Sequence, residues 1–428
     1  MNRTRKDQQI IAAIDIGASK ISCFIARLTH EQGLSDRQGL AQQIEIIGVG
    51  HHGSPLKPKY TTSAEELEMG LRKAVDAAER MAEVRIHKVT IGVAGKFLRT
   101  RRIGVDLEIT DGVVTQEDIE DSINEGARLS ASPEYTALHA LATAFKLDDE
   151  GVFDDPAGLN GSMLSTQMLG VSARLSVLDN LGMIVERCGL IPADYIAAPY
   201  AAAEATLIDD EKDLGVVLID IGAASTAFSV YDNGVMIDCG GVGVGGGHIT
   251  KDIAQIFGTP LAQAERIKTL YGAALIGPGD EHRFVDVPQM GDDAERIRTS
   301  RADLCDVIIP RVEEIFELVS ARLPGDANRS IGLRRAVLTG GGSLLVGARE
   351  SAEKILSMKC RLGRPLSVAG GPEAASAPGF AVCAGLLQCR IKARSEDNFA
   401  LGLAGQSPHA FPQSAFFGGM EAWLRAKF

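Results

Sequence analysis

The feature of this 428-residue sequence that most constrains its fold is a repeated unit: an apolar strand, Asp-Ile-Gly, and a second strand. It occurs first as Ile10–Ile14, Asp15-Ile16-Gly17 and Ser22–Leu28. It recurs as Leu214–Ile219, Asp220-Ile221-Gly222 and Ser225–Tyr231. The opening strand of each unit is continuously apolar, the pattern of a strand buried on both faces. The two aspartates stand 205 residues apart, which predicts two similarly built halves. One Asp-Gly turn between strands is ordinarily only a turn. Two of them, at the ends of buried strands in successive halves, can face each other across a cleft.

These turns have a chemical use. Gly17 and Gly222 lack Cβ and let backbone N–H groups approach an anion, while Asp15 and Asp220 can hold the water shell of a Mg²⁺. Lys20, five residues after Asp15, is placed to reach back to a phosphate. A third turn, Thr339-Gly340-Gly341-Gly342-Ser343, follows a predicted strand at Ala336–Leu338 and precedes a helix. Its bare backbone suits a flat ligand such as adenine and ribose, and it reads equally as a tight strand-to-helix turn. Gly246 and Gly247 close the Gly-rich stretch 240–247 just before a helix, which makes them candidates for phosphate contact. The adjacent His248 reads either as a phosphate-side donor or as a structural imidazole. Together the turns favour a nucleotide between two domains.

Elsewhere the pattern predicts strands at Ile44–Val49, Lys88–Val93, Ile103–Ile109 and Leu169–Val177. Helices are expected at Ser63–Val84, with Ser63 and Glu66 as a capping box, and at Thr115–Ser130, Asp179–Cys188 and Pro199–Ile208. Further helices are expected at Ile249–Phe257, Leu261–Tyr271, Ser300–Leu323 with a kink at Pro310, and Phe380–Lys392. The stretches 147–162 and 272–293 read as loops. With 44 basic against 56 acidic residues, the net charge of −12 argues against a nucleic-acid partner. Seven scattered cysteines without a CxxC pair read as buried thiols, not disulfides or a zinc site. His51-His52 has no nearby carboxylate pair and carries no metal assignment. The basic start, Met1–Lys6, is followed by an apolar stretch too short for a signal peptide, and no apolar run approaches the ~18 residues of a membrane span. A cytoplasmic protein is expected.

The last residues form an amphipathic pattern. At 100° per residue Phe416, Phe417, Met420, Trp423, Leu424 and Phe428 share one arc, with Glu421, Ala422, Arg425 and Ala426 opposite or flanking it. Lys427 falls inside the arc and can snorkel to lipid headgroups. Trp423 is the only tryptophan, and indole favours the membrane interface. Such a helix lies in the interface plane or packs back on the body; the linker-like composition of 395–414 supports the first reading.

These motifs carry a resemblance. Asp15-Ile-Gly-Ala-Ser19-Lys20 resembles the first phosphate motif of the actin superfamily, Asp220–Thr226 the second, and Thr339–Ser343 the adenosine motif. Ala264-Glu265-Arg-Ile-Lys268 resembles the segment whose Glu and Lys contact the adenosine. Within the superfamily, VERCGL (185–190), TKDIAQIFGTP (250–260), AERIKTLYGAA, IIPRVEEI, VLTGGGSLLVG and the ending WLRAKF resemble the FtsA family of bacterial cell-division proteins, over essentially the whole chain. The resemblance implies an α/β, actin-like duplicated fold, with two halves around a nucleotide cleft and an FtsA-type 1C insertion. The expected parts are subdomain 1A at 1–84 and 163–205, 1C at 85–162, 2A at 206–260 and 330–394, and 2B at 261–329. A flexible linker at 395–414 and a membrane-targeting helix at 415–428 complete the chain.

The resemblance also implies ATP and Mg²⁺ as ligands and self-association into filaments. It implies attachment to lipids on the cytoplasmic side of the inner membrane at the division site, and recruitment of later division proteins through 1C. Subdomain 2B would bind the acidic, hydrophobic C-terminal tail of FtsZ. Arg296, Arg298, Arg301 and Arg311 cluster within sixteen residues there, and Arg301 aligns with a residue implicated in that contact. The plain alternative is a solvated helix face. Two motifs depart from the superfamily. Filament-forming actins such as MreB carry a water-positioning Glu directly before a Pro-x-Ala-Ala-Ala helix. Here that residue is Ala198, which cannot orient water or accept a proton. Glu204, two turns along, reads as structural. The second phosphate motif has Ala223-Ala224 where Gly-Gly is frequent. ATP binding with slow or absent hydrolysis is therefore expected. The rival reading is a sugar or short-chain acid kinase of the same superfamily, for which no convincing catalytic Asp is found.

Overall fold

In the computed structural model the described residues are 9–30, 42–53, 63–148, 151–291, 296–323, 333–366 and 370–395. The first Asp-Ile-Gly unit folds as β1 (Gln9–Ile16) and β2 (Lys20–His30), antiparallel with Ile16 opposite Ile21, and β3 (Gln42–Gly53) extends the meander. Helix α1 (Ala64–Ala82) opens on the predicted capping box: Glu66 N–H donates to Ser63 Oγ at 3.2 Å, and Ser63 N–H to Glu66 Oε2 at 3.1 Å. It leads to β4 (Lys88–Val93), which lies parallel to β1.

A separate layer follows. β5 (Leu98–Glu108), α2 (Gln116–Ser130), β6 (Tyr135–Leu147), β7 (Val152–Phe153) and β8 (Met163–Arg174) give a four-stranded sheet in the order β5-β8-β6-β7. Ile103, Val105, Ile119, Ile123, Leu164 and Met168 build its own core against α2. The chain returns through α3 (Leu175–Arg187) to β9 (Ile191–Ala197), parallel to β4.

α4 (Ala198–Thr206) and the short α5 (Asp209–Asp213) lead into the second half. Its meander is β10 (Val216–Ile221), β11 (Thr226–Asp232) and β12 (Val235–Val242). Then come α6 (Gly246–Ile256), α7 (Leu261–Tyr271), the hairpin β13 (Phe284–Pro288) and β14 (Arg296–Ser300), and α8 (Arg301–Arg322). β15 (Arg335–Thr339), α9 (Ala348–Leu356), β16 (Lys359–Leu362) and α10 (Ala381–Ser395) complete it. The two main sheets have the same order, β3-β2-β1-β4-β9 and β12-β11-β10-β15-β16, so the repeated turn does report a duplication.

Between the sheets lie α4 and α10, whose alanines and cysteines join Ile11, Phe24, Val216 and Leu218 in one core. Their backbones meet where a Cβ on Gly385 would fall 1.7 Å from the Ala201 carbonyl oxygen, so only glycine fits. α1 and α3 cover the outer face of the first sheet, and α6 to α9 that of the second. All seven cysteines are free thiols, six of them buried.

Several sequence expectations differ from this architecture. The inserted sheet runs from Leu98 to Arg174, whereas the insertion was expected at 85–162. β4 pairs within the first sheet and β8 within the inserted one. α10, expected with the second half, packs mainly against α4 and the first-half strands β1, β2 and β4. β6, β9 and β12 are strands the pattern did not announce: β6 is rich in small residues, β9 contains Pro192, and β12 carries Gly240-Gly241 before its last residue. Leu175–Val177 opens α3 instead of ending a strand. α8 passes through Pro310 as one element, with the proline on its exposed side. Arg296 and Arg298 lie on β14, not on a helix face.

Candidate functional site

Asp15 and Asp220 are the penultimate residues of the central strands β1 and β10, and each strand is followed by the same tight turn. Gly17 N–H donates to the Lys20 carbonyl at 2.9 Å, and Gly222 N–H to the Ser225 carbonyl at 3.0 Å. A Cβ at either glycine would meet that carbonyl, at 2.8 Å and 2.9 Å. The glycine amides therefore close the turns. The N–H groups of Ala18, Ser19, Ala223 and Ala224 make no backbone hydrogen bond among the described residues and can meet an anion.

The two turns converge electrostatically. Asp220 is pushed up to about 7, by burial first and then by the neighbouring Asp15 charge, against the pull of Lys20. Burial also raises Asp15, with Lys20 opposing. Lys20 is lowered by burial and partly restored by both carboxylates. Both aspartates keep some solvent access while being densely surrounded by protein. Two crowded carboxylates with one lysine suit a hard divalent cation that keeps most of its water, as Mg²⁺ does. The residues present fit that ion.

The third turn packs directly on the second. Gly340 has φ +81°, and a Cβ there would fall 2.2 Å from Asp220 Oδ1; one on Gly342 would fall 2.4 Å from Ile221 Cγ2. Gly341 is exposed with nothing within 4 Å of its would-be Cβ, so it is the glycine that offers bare backbone to a ligand. Ser343 Oγ donates to the Gly340 carbonyl at 2.7 Å and fixes the turn. Gly246 comes alongside: its would-be Cβ lies 3.7 Å from Gly342 Cα and 4.0 Å from Lys268 Nζ. Lys268 Nζ donates to the Gly246 carbonyl at 3.0 Å, Thr250 Oγ1 at 2.9 Å and Glu265 Oε2 at 2.7 Å. Thus Glu265, Lys268, Gly246 and the 339–343 turn are brought together, and Thr250 joins them unannounced.

Other assignments change. The N–H groups of Gly246 and Gly247 donate to the Gly222 and Ala223 carbonyls at 2.8 Å and 2.9 Å, so they hold the second turn and are not open to a phosphate. His248 Nδ1 accepts from Gly245 N–H at 3.1 Å and caps α6, which selects the structural reading. Ala198 is buried at the start of α4; the preceding Ala197 N–H donates to Nε2 of the buried His139 at 3.0 Å. Burial lowers His139 to about 4, so it is a neutral acceptor. Glu204 forms a buried ion pair with Lys212 at 2.8 Å, as a structural residue would.

The arginine cluster is dispersed. Arg301 pairs with the buried Asp280 and donates from Nε to the Tyr271 carbonyl at 2.9 Å. Arg311 holds Asp252 through Nε at 2.6 Å and pairs with Glu314. Both cations are thus engaged within the fold. Arg298 is exposed and covers the Phe284 ring at 4.3 Å. Phe417, Met420, Trp423, Leu424, Arg425, Lys427 and Phe428 lie outside the described residues, as does the expected linker apart from Ser395, which ends α10.

A contributor the motifs did not reveal is the short turn Pro378–Phe380 before α10. Lys20 Nζ donates to the Gly379 carbonyl and sits 3.5 Å from the Phe380 ring centroid. Pro and Gly mark a turn there, and nothing in the local text tells where it reaches.

Comparison with known proteins completes the picture. Residues 217–385 match the family model of cell division protein FtsA, and residues 95–172, close to the extent of the inserted sheet, match that of the SHS2 domain inserted in FtsA. The chain is 34% identical to cell division protein FtsA of Agrobacterium fabrum, over 89% of this chain and 87% of the relative. It is 31% identical to that of Pseudomonas aeruginosa over 98% of both chains, and 28% identical to that of Escherichia coli K12 over 89% and 90%. Among solved structures, the PilM-PilN type IV pilus biogenesis complex superposes with a TM-score of 0.58 at 18% identity, covering 88% of this chain and 97% of that one. MreB5 of Spiroplasma citri bound to ADP gives 0.51 at 12% identity, covering 90% and 97%. These likenesses establish an actin-like α/β fold with an inserted domain. The kinase alternative is not favoured, because the family models and these relatives are cell-division proteins. The chain belongs to the FtsA family of cell division proteins.

Proposed function

We propose that this protein is an ATP-binding, polymerising adaptor that ties FtsZ filaments to the cytoplasmic face of the inner membrane and recruits later division proteins. The observation that carries the reading is the union, in one chain of this family, of a duplicated cleft fold with the inserted sheet β5-β8-β6-β7. In this reading the main sheets with their helices form subdomains 1A and 2A, the inserted sheet forms 1C, and the α7 to α8 region forms 2B. Asp15 and Asp220 would hold Mg²⁺. Lys20 and the free amides of the two turns receive phosphate oxygens, while Gly341, Glu265 and Lys268 flank the base and ribose. The cation would neutralise charge on the phosphates. Ala198 leaves no side chain to orient an attacking water, so turnover stays below about 1 s⁻¹, the low end of ordinary enzymes.

Membrane attachment rests on the apolar arc that contains Trp423. A helix that short binds lipid weakly alone, and filament formation makes attachment strong by lining up many copies. Among the described residues no helix is long and apolar enough to cross a membrane. For the FtsZ tail, Arg298 and Phe284 offer an exposed cation and ring, and Arg301 shapes the surface through its pair with Asp280. Arg298→Glu is therefore a cleaner test than Arg301→Glu. It should weaken binding of an FtsZ tail peptide by about 1–3 kcal/mol while Arg101→Glu does not; equal affinities would remove the assignment.

The deciding experiment is electron microscopy of the full chain on a lipid monolayer with Mg-ATP, with and without FtsZ. Filaments that form on lipid and capture FtsZ are expected. Loss of lipid binding on truncation after Ser414, with nucleotide binding intact, would support the anchor. Undiminished lipid binding by that truncation would refute it.

A further inference from the structure

The nucleotide reading leaves open how Lys20 is held. A lysine carries a long, freely rotating stem, and an ammonium that wanders delivers little binding energy to a phosphate. Here the ammonium has no direct ion pair among the described residues: Asp15 and Asp220 act on it only through space. Its contacts are the Gly379 carbonyl, to which it donates, and the face of Phe380, with Nζ 3.5 Å from the ring centroid. The ring is itself braced by Phe24 at 5.5 Å and His51 at 5.7 Å between centroids. A Cβ on Gly379 would approach Nζ to 3.1 Å, so the turn admits no side chain there without displacing the lysine.

The same turn grips the adenosine side. The Pro378 carbonyl accepts from Gly340 N–H at 3.2 Å and from Thr339 Oγ1 at 3.2 Å, and the would-be Cβ of Gly379 lies 3.7 Å from the Gly341 amide nitrogen. Three consecutive residues thus touch both the turn assigned to adenosine and the lysine assigned to phosphate. We propose that Pro378–Phe380 is a clasp in which Phe380 and the Gly379 carbonyl are positioning groups for Lys20, aiming its ammonium at the phosphate chain of the nucleotide. The clasp rests on the nucleotide reading above. It acts through Lys20 and touches no reacting atom. The aromatic face stabilises the ammonium without neutralising it, so the full charge remains for phosphate oxygens.

Calorimetric titration of the full chain with Mg-ATP, Mg-ADP and adenosine tests this. Phe380→Leu, which keeps the apolar volume but loses the ring face, should weaken both Mg-nucleotides roughly five- to thirtyfold and leave adenosine unchanged. Phe380→Tyr should restore binding. In the double variant Phe380→Leu/Lys20→Gln the loss should be no larger than in Lys20→Gln alone, because one residue works through the other. Full additivity, an equal loss for adenosine, or no loss in Phe380→Leu overturns the clasp while the nucleotide reading stands. Failure of the unaltered chain to bind Mg-ATP overturns both.

Discussion

The two Asp-Ile-Gly turns share one backbone and differ in nearly everything around it. Both close with a glycine N–H on the carbonyl three residues later, at 2.9 Å and 3.0 Å. The first carries Ser19 and Lys20, and its aspartate lies beside Gly92 of β4, where a Cβ would come 3.7 Å from Asp15 Oδ1 and 3.1 Å from Val382 Cγ1. The second carries Ala223 and Ala224, with Ser225 where the first has Lys20. It is held by the first amides of α6 and by the backbone of Gly340. Duplication thus kept the geometry that presents a carboxylate and loose amides to the cleft. Divergence gave the lysine to one copy and the backbone support of α6 and Gly340 to the other.

The largest expected effect breaks that backbone support. Gly340→Ala combines a positive-φ extended backbone (φ +81°, ψ 165°) that is essentially glycine's alone with a Cβ 2.2 Å from Asp220 Oδ1 and 2.6 Å from the Ile221 carbonyl oxygen. Strain and overpacking together should cost about 2–5 kcal/mol and abolish Mg-nucleotide binding. Gly92→Ala, behind the first turn, meets only the ends of side chains that can shift, and should cost under about 1.5 kcal/mol. Thermal unfolding of the two variants measures the contrast. Equal losses would show that the supports are alike.

Next in size is the carboxylate pair. Asp15→Asn and Asp220→Asn should each lower Mg²⁺-dependent nucleotide affinity about 10- to 100-fold, the usual cost of losing a residue that orients a metal's water shell. Without Mg²⁺ the variants should bind as well as the parent or better, since a crowded anion has been removed. A loss of the same size without Mg²⁺ would deny the pair its cation.

How much of this was legible in the sequence follows the range of the interactions. β1, β4, α1 and α7 could be read because their apolar runs and the Ser63 cap act within a few residues. β9 and β12 could not, because their identity as strands comes from partners far along the chain: β9 pairs with β4 and β12 with β11. The site divides the same way. The aspartates and the Gly-rich turns carry their chemistry in adjacent letters. Arg301 looked like a free surface cation because Asp280, its buried partner, lies in what reads as a loop. Phe380 stands 360 residues after the lysine it covers.

The smallest effect concerns protons, and it sharpens the difference between the two aspartates. Asp220 titrates near 7 in the nucleotide-free cleft, chiefly through burial and then through Asp15. Its folded value lies above the unfolded value of 3.8, so its ionisation weakens the empty fold as pH rises from about 4 through 7. A bound Mg²⁺ reverses the sign, because the cation favours the carboxylate and expels the proton. Mg-nucleotide affinity should therefore fall about tenfold from pH 8 to pH 6, as a ligand must displace a proton below pH 7. Asp220→Asn should flatten that profile; any dependence left in it belongs to the nucleotide's own phosphates and serves as the control. Asp15→Asn should instead shift the profile to lower pH, since removing the neighbouring charge lets Asp220 ionise more easily. Titrations in the two variants that track the parent would place the proton elsewhere in the cleft and make the aspartates equivalent after all.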